Sequence, residues 1–261
     1  MKLSPTHWLY VAAHAVIFLI GVVIISFGGT IAISIGTSLI AAGAAGWILF
    51  LYVWISEDRT KTVRMLTNFG LTDAFDERGP KIKDTYAKKL DDVNESIDIL
   101  GFGLKTFRED FGDEFENWAT TVDVRVLLID PTYPMGVNHT YAQQRDEEEG
   151  NRPDKIYNDV KNFVDETQEL RENEQYNFDI RLYQCLPSVT IFRIDDEMFW
   201  GPYTVRNKSR NMPIFLVEDH GHLFENLQDH FDAIWESEDL SRSVPETFSR
   251  DEATVDKPHS Q

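Results

Sequence analysis

The clearest chemical possibilities in this chain are Ser188, Thr190, Arg193 and Asp195, followed by Arg206, Lys208 and Arg210. The first four lie in the run SVTIFRIDDEMFWGPY, residues 188–203. Apolar residues flank Asp195-Asp196 on both sides and Gly201-Pro202 closes the run, the pattern of two strands joined by a tight turn. Arg206-Asn207-Lys208-Ser209-Arg210 follows and is the densest basic stretch of the polar part of the chain. Guanidinium, amide and hydroxyl donors so close together can hold a phosphate-bearing ligand through charge-assisted hydrogen bonds. The simpler reading of these five residues is a solvated loop that offsets nearby carboxylates. Ser188 could attack phosphorus only with a base to raise its nucleophilicity, and no histidine lies near it in sequence. Arg193 either faces the same pocket or pairs with Asp195, and pairing is the simpler arrangement.

Two other groupings invite chemistry. His220 and His222 stand beside Asp219 and Glu225. The segment opens an amphipathic helix, however, and Asp219 is a sensible N-cap there. No third histidine completes a ligand set, so neither a metal nor a cofactor is expected. His139, Tyr141, Gln143, Gln144 and Arg145 fall in a polar stretch, residues 131–153, longer than most connections inside a compact domain. The charged run 145–149 reads as a solvated segment. Cys185 is the only cysteine, which rules out a disulfide framework and a cysteine-based metal cluster.

These residues need a scaffold, and the chain supplies two different ones. From Trp8 to Ile55 there is no Lys, Arg, Asp or Glu. The stretch divides at Phe27-Gly28-Gly29-Thr30 into residues 8–27 and 31–55, each about as long as the ~20 residues a helix needs to cross a bilayer. This predicts an α-helical hairpin in the lipid bilayer. Lys2 precedes it and Arg59, Lys61 and Arg64 follow, so both termini are expected in the cytoplasm of a multi-pass cell-membrane protein. Thr30, Ser34, Ser38, Ala42 and Gly46 recur every four residues. Such a small-residue stripe permits close helix approach, either within the hairpin or in a homo-oligomer through the second span.

After position 56 the chain has 44 acidic and 24 basic residues, a net charge of −20. A field of that sign repels nucleic acid, which is therefore disfavoured as a partner. The even spread of acidic residues is similar to that of proteins from salt-loving archaea. Residues 57–95 read as a connector. Residues 96–104 and 122–129 read as strands, residues 107–118 and 154–170 as helical stripes, and residues 178–186 as a further strand before the hairpin. PIFLV from Pro213 is another strand, and Leu223 to Trp235 forms the clearest amphipathic helix. Residues 237–261 are polar and aperiodic and read as a disordered tail. The alternation of strands and helices over 96–236 predicts an α/β domain, a mixed sheet flanked by helices.

Residues 66–235 resemble the phospholipase-D-like superfamily. The resemblance rests on SIDILGFGL (residues 96–104), VDVRVLLIDP (122–131) and the hairpin, which occupies the place of the family's signature His-x-Lys-x4-Asp, a strand and then Gly-Ser-x-Asn. If Asp195 is the signature Asp, Ser188 stands at the His position and Thr190 at the Lys position; if Asp196 is, Val189 and Ile191 do. Gly201 is kept, while Pro202 and Tyr203 replace the residues after it. In the active family the His attacks phosphorus, the Lys steadies the phosphate oxygens, and two motif copies build one site. The resemblance therefore implies a single, catalytically degenerate copy. The expected function is a membrane-tethered sensor, regulator or effector that binds a phosphate ligand or a protein partner in signalling, defence or envelope control. The competing reading is a membrane-bound phosphodiesterase or phospholipase that uses displaced residues such as His139 or His220.

Overall fold

The computed structural model describes residues 5–77, 80–136 and 139–245, and among them the side chains of 7–55, 62–77, 81–136 and 139–245. The chain divides into two compact units, Met1–Met65 and Leu66–Gln261.

The first unit contains α1 (Pro5–Ser26) and most of α2 (Thr30–Asn68). His7–Ser26 and Thr30–Ile55 are long and apolar enough to cross a membrane. The turn between α1 and α2 puts Gly28 and Gly29 at φ of 71° and 91°, backbone that a side chain strains. The seam between the helices is made at glycines. A Cβ on Gly21 would sit 2.7 Å from the Gly36 carbonyl oxygen, and one on Gly46 would meet the His14 ring. Trp47 Nε1 donates to the Val11 carbonyl at 3.3 Å. The four-residue stripe thus splits. Gly46 belongs to the seam, whereas Thr30, Ser34, Ser38 and Ala42 are exposed on another face. Of the cations that orient the hairpin in the sequence reading, Lys2 lies outside the described residues, as do the side chains of Arg59 and Lys61.

The second unit is a mixed sheet flanked by helices. Its strands are β1 (Leu71–Phe75), β2 (Ser96–Gly101), β3 (Asp123–Ile129), β4 (Phe178–Tyr183), β5 (Val189–Ile194), β6 (Glu197–Pro202), β7 (Ile214–Glu218) and β8 (Ser241–Ser243). Among the described residues they form one eight-stranded sheet in the order β1-β7-β6-β5-β2-β3-β4-β8. β2, β3 and β4 are parallel, and β5 runs antiparallel to β2. The helices are α3 (Pro80–Asp91), α4 (Lys105–Phe111), α5 (Phe115–Thr121), α6 (Tyr141–Glu149), α7 (Lys155–Glu166), α8 (Gln168–Glu172) and α9 (His222–Glu236). Successive residues of a strand face opposite sides of a sheet. Phe192 of β5 accordingly meets Tyr86 of α3 and Phe107 of α4 on one side. Arg193, next in sequence, lies against Phe224 of α9 on the other.

Several boundaries differ from the sequence reading. Residues 57–95 are not a connector throughout, because β1 pairs antiparallel with β7 and Ile82 and Leu90 of α3 are core residues. Residues 237–245 are not disordered: β8 pairs with β4, and Ser241 is fully buried with its hydroxyl donating to the Ile234 carbonyl at 2.7 Å. The rest of the expected tail, residues 246–261, lies outside the described residues. The stretch 131–153 contains α6, whose Thr140 cap and Gln143 form a reciprocal capping box. The N-cap of α9 is Gly221, not Asp219, which is exposed.

Candidate ligand-binding cleft

The C-terminal ends of β2, β3 and β4 lie together because these strands are parallel, and the start of β5 and the end of β6 reach the same edge because the hairpin runs the other way. A crevice at this edge is a common ligand position in open α/β sheets. Here it is a cleft of about 390 Å³ whose walls include Lys105, Lys155, Tyr203, Lys208, Ser209 and Arg210. Lys105 opens α4 just after Gly101-Phe102-Gly103, and Lys155 opens α7. The two helices approach closely at Gly103, where a Cβ would meet the Asp159 side chain at 2.6 Å. Lys155 pairs with Asp159 at 2.7 Å and Lys105 with Glu109 at 3.5 Å. Lys208 and Arg210 make no ion pair among the described residues. Three carboxylates, Glu109, Glu149 and Asp159, line the cleft too, each already engaged, the first and last by Lys105 and Lys155 and Glu149 by Arg145 and Ser209.

Arg145 fixes the basic loop. It is 4% exposed, although the sequence reading placed it in a solvated run. Its guanidinium donates to the carbonyls of Thr204 and Asn207, each at 2.9 Å, and to Ser209 Oγ at 3.2 Å. It also pairs with Glu148 and Glu149 and lies over the rings of Phe102 and Tyr203, 5.7 and 5.4 Å from their centroids. Glu149 in turn accepts the Ser209 amide at 2.9 Å and the Ser209 hydroxyl. Burial works to raise the Glu149 carboxyl, but the Ser209 donors and Arg145 outweigh it and hold the group below the usual carboxylate range. The loop is thereby held by two side chains of α6, about sixty residues earlier in the chain.

Beside the cleft, Asp130 directly follows β3 and has no exposure. It accepts from Arg242 Nε at 2.6 Å, Gln184 Nε2 at 2.8 Å, and the Thr132 hydroxyl and amide at 2.7 and 2.9 Å. Burial opposes its charge, yet these donors hold it below the usual carboxylate range. Asp130 therefore fastens β8 to the sheet, and its oxygens are satisfied within the protein.

The residues singled out in the sequence are only partly brought together. Lys208 and Arg210 line the cleft. Arg206 is exposed at a turn with φ of 65° and is not part of the lining. Ser188 is exposed at the edge where the cleft lies. Thr190 is buried in an adjoining apolar cavity, and its hydroxyl donates to the Leu100 carbonyl at 3.1 Å. Asp195 is at the far end of β5, roughly 20 Å from Ser188 at about 3.3 Å per residue. Its carboxylate accepts the backbone amides of Asn94, Glu95 and Ser96 at 2.8–3.0 Å, so it braces the start of β2. Arg193 Nε donates to the Asp195 carbonyl at 2.6 Å and Nη1 pairs with Asp98 at 3.1 Å, against α9. Arg193 and Asp195 thus serve the sheet.

The displaced-histidine reading fares poorly in this geometry. β7 starts at the cleft edge and ends at the opposite one, which puts His220 and His222 at the far end of the sheet, where they face Glu218 and Glu225 at 3.4 Å. His139 faces Glu147 at 3.4 Å in a separate cavity with Asp146 and Asp154, a wall of carboxylates that repels phosphate. Sequence reasoning missed Lys105 and Lys155, and it named Arg145 in the long polar stretch but read the run 145–149, Glu149 included, as solvated. A cation at the first position of a helix just beyond a strand-ending glycine was a usable signal for Lys105, but nothing local marked the others.

No family model matches the chain, and no curated protein does. Among solved structures it is similar to TrmBL2, an archaeal chromatin protein whose structure shows a novel mode of DNA binding. That likeness has 11% identity and a TM-score of 0.41, over 80% of this chain and 70% of that one. It is also similar to phosphatidylserine synthase from Haemophilus influenzae Rd KW20, with 12% identity and a TM-score of 0.40, over 62% of this chain. The match spans 36% of the synthase.

Proposed function

We propose that the protein is a non-catalytic, membrane-tethered sensor, regulator or effector whose α/β unit, a degenerate phospholipase-D-like domain, binds a phosphate-bearing ligand in the cleft at the end of β2. The observation that carries this reading is the convergence of Lys105, Lys155, Lys208 and Arg210 on one cleft in a chain of net charge −19. An anion is repelled over most of such a surface, so local cations must supply the attraction. Lys208 and Arg210 have no competing carboxylate among the described residues and are free to donate. Against turnover, among the described residues no histidine lines the cleft, no hydrogen bond joins the Ser188 hydroxyl to a base, and the Thr190 hydroxyl is donated to the Leu100 carbonyl.

Replacing Lys208 and Arg210 together with Ala is expected to weaken the binding of inorganic phosphate by at least about tenfold, equivalent to ~1.4 kcal/mol, with unchanged circular dichroism. Binding equal to that of the parent chain would sink the phosphate reading and favour a protein partner at this surface. Hydrolysis of a phosphodiester that disappears in Ser188→Ala would instead establish the enzyme.

The same proposal places both termini in the cytoplasm, from the positions of Lys2, Arg59, Lys61 and Arg64 around the apolar pair. A reporter fused after Gln261 should be active only if it functions in the cytoplasm. Activity of a reporter that works only on the outer face would refute the orientation.

A further inference from the structure

The phosphate cleft is one of two adjoining spaces. Behind α4 lies a second cavity of about 310 Å³, bounded by Ile82, Ile99, Phe107, Thr190, Phe199 and Ile214. The two spaces share Leu104, Thr106 and Phe107 as a common wall, so the first turn of α4 separates a cationic chamber from an apolar one. The polar groups of the apolar chamber are largely spent. Lys83 and Asp110 pair with each other, and the Thr190 hydroxyl is donated to Leu100. A polar occupant would lose hydration there without compensating hydrogen bonds, whereas an apolar one gains by leaving water. Ligand pockets commonly combine such an apolar chamber with a few convergent charged groups.

We infer that the ligand is an anionic amphiphile: a phosphate monoester of a hydrocarbon chain, with its phosphate among Lys208, Arg210, Lys105 and Lys155 and its chain turned over Leu104 and Phe107 into the apolar cavity. The inference rests on the phosphate reading and narrows it. It disfavours sugar phosphates as the preferred class, since most of their hydroxyls would find no partner beyond α4. The charge of the cleft decides between a neutral and an anionic amphiphile, because a neutral one has no use for unpaired Lys208 and Arg210.

The test uses the full chain in nanodiscs of zwitterionic lipid, with empty nanodiscs subtracted. Three probes are compared by calorimetry: inorganic phosphate, hexyl phosphate and hexanol. Hexyl phosphate is expected to bind at least about tenfold more tightly than inorganic phosphate, and hexanol more weakly than hexyl phosphate. Thr190→Leu fills the apolar cavity from within, and Lys83→Trp covers it from its more exposed rim, so a folding defect in the first leaves the second informative. Each is expected to bring hexyl phosphate down to the affinity of inorganic phosphate and to leave inorganic phosphate as it was. Equal binding of hexyl and inorganic phosphate, or a preference that survives both substitutions, overturns the amphiphile and leaves the phosphate site standing. Failure of both phosphate probes to bind removes the phosphate reading and this inference with it. Hexanol binding as tightly as hexyl phosphate overturns the anionic requirement.

Discussion

Asp98→Ala is expected to destabilise the α/β unit by about 3–5 kcal/mol, the cost of leaving a buried ion pair without one partner. Asp98 has no exposure, and its carboxylate receives Arg125 Nε at 2.7 Å, Arg125 Nη2 at 2.8 Å and Arg193 Nη1 at 3.1 Å. Both guanidiniums lie under α9, Arg125 over Phe231 and Trp235 and Arg193 over Phe224. Burial works against the charge of Arg125, and Asp98 and Asp232 together outweigh it and raise its pKa. Without Asp98, Arg125 keeps Asp232 at 3.0 Å, while among the described residues no ion pair remains for Arg193. The thermal midpoint should fall on the order of 10 °C, given 2–4 °C per kcal/mol for a domain of this size. Asp232→Ala is the control. Asp232 is 35% exposed, so solvent screens its pairing, and its loss should cost no more than about 1 kcal/mol. Equal losses from the two substitutions would show that the network is not organised around Asp98.

Legibility in the sequence followed the strength of local pattern. β2, β3 and the β5–β6 hairpin alternate or run apolar between turn residues, and they were readable as strands. α9 carries Phe224, Leu227, Phe231 and Ile234 on one buried face and was equally plain. β1 escaped because it is an edge strand: Thr72, Asp73 and Ala74 are exposed, so its sequence has no reason to be apolar. β8 is Ser-Arg-Ser, held by the Ser241 hydroxyl and the Arg242–Asp130 pair, neither of which has a periodic signature. The stripe 107–118 reads as one helix because Phe107, Phe111, Phe115 and Trp118 do pack together, but Gly112 starts a short 3-10 turn that divides it into α4 and α5.

The candidate cleft was half legible for a related reason. Lys208 and Arg210 stand out as a basic cluster in an acidic chain. Lys105 and Lys155 each sit beside an acidic residue four positions on, the usual signature of a surface helix, and only the parallel arrangement of β2 and β3 brings them to the same edge. Arg193 and Asp195 looked like site residues because they share a hairpin with Ser188. A strand separates its two ends by many ångströms, however, and its alternation sends neighbouring side chains to opposite faces. Proximity in sequence was the wrong measure for both.

Arg145 tests whether the basic loop binds by its charge alone or by being held in place. Arg145→Ala should cost about 3 kcal/mol, since it strips a buried guanidinium from Glu149 and from the carbonyls of Thr204 and Asn207. The more telling change is Arg145→Lys, which preserves the charge. A lysine is a point donor and cannot reproduce a planar fork that reaches two backbone carbonyls, the Ser209 hydroxyl and a carboxylate at once. The loop 204–209 then loses its anchor while Lys208 and Arg210 remain. If their placement matters, inorganic phosphate binding falls by at least about tenfold in Arg145→Lys, or ~1.4 kcal/mol, measured at a temperature where circular dichroism shows the chain folded. Arg206→Ala supplies the contrast, because it removes a cation from the same loop outside the cleft. Its expected effect is within about twofold, the size of a screened surface charge at physiological salt. If Arg145→Lys binds phosphate as the parent chain does and Arg206→Ala does not, the attraction is a diffuse property of a basic loop, and the cleft that the loop forms with α4 and α7 plays no part in it.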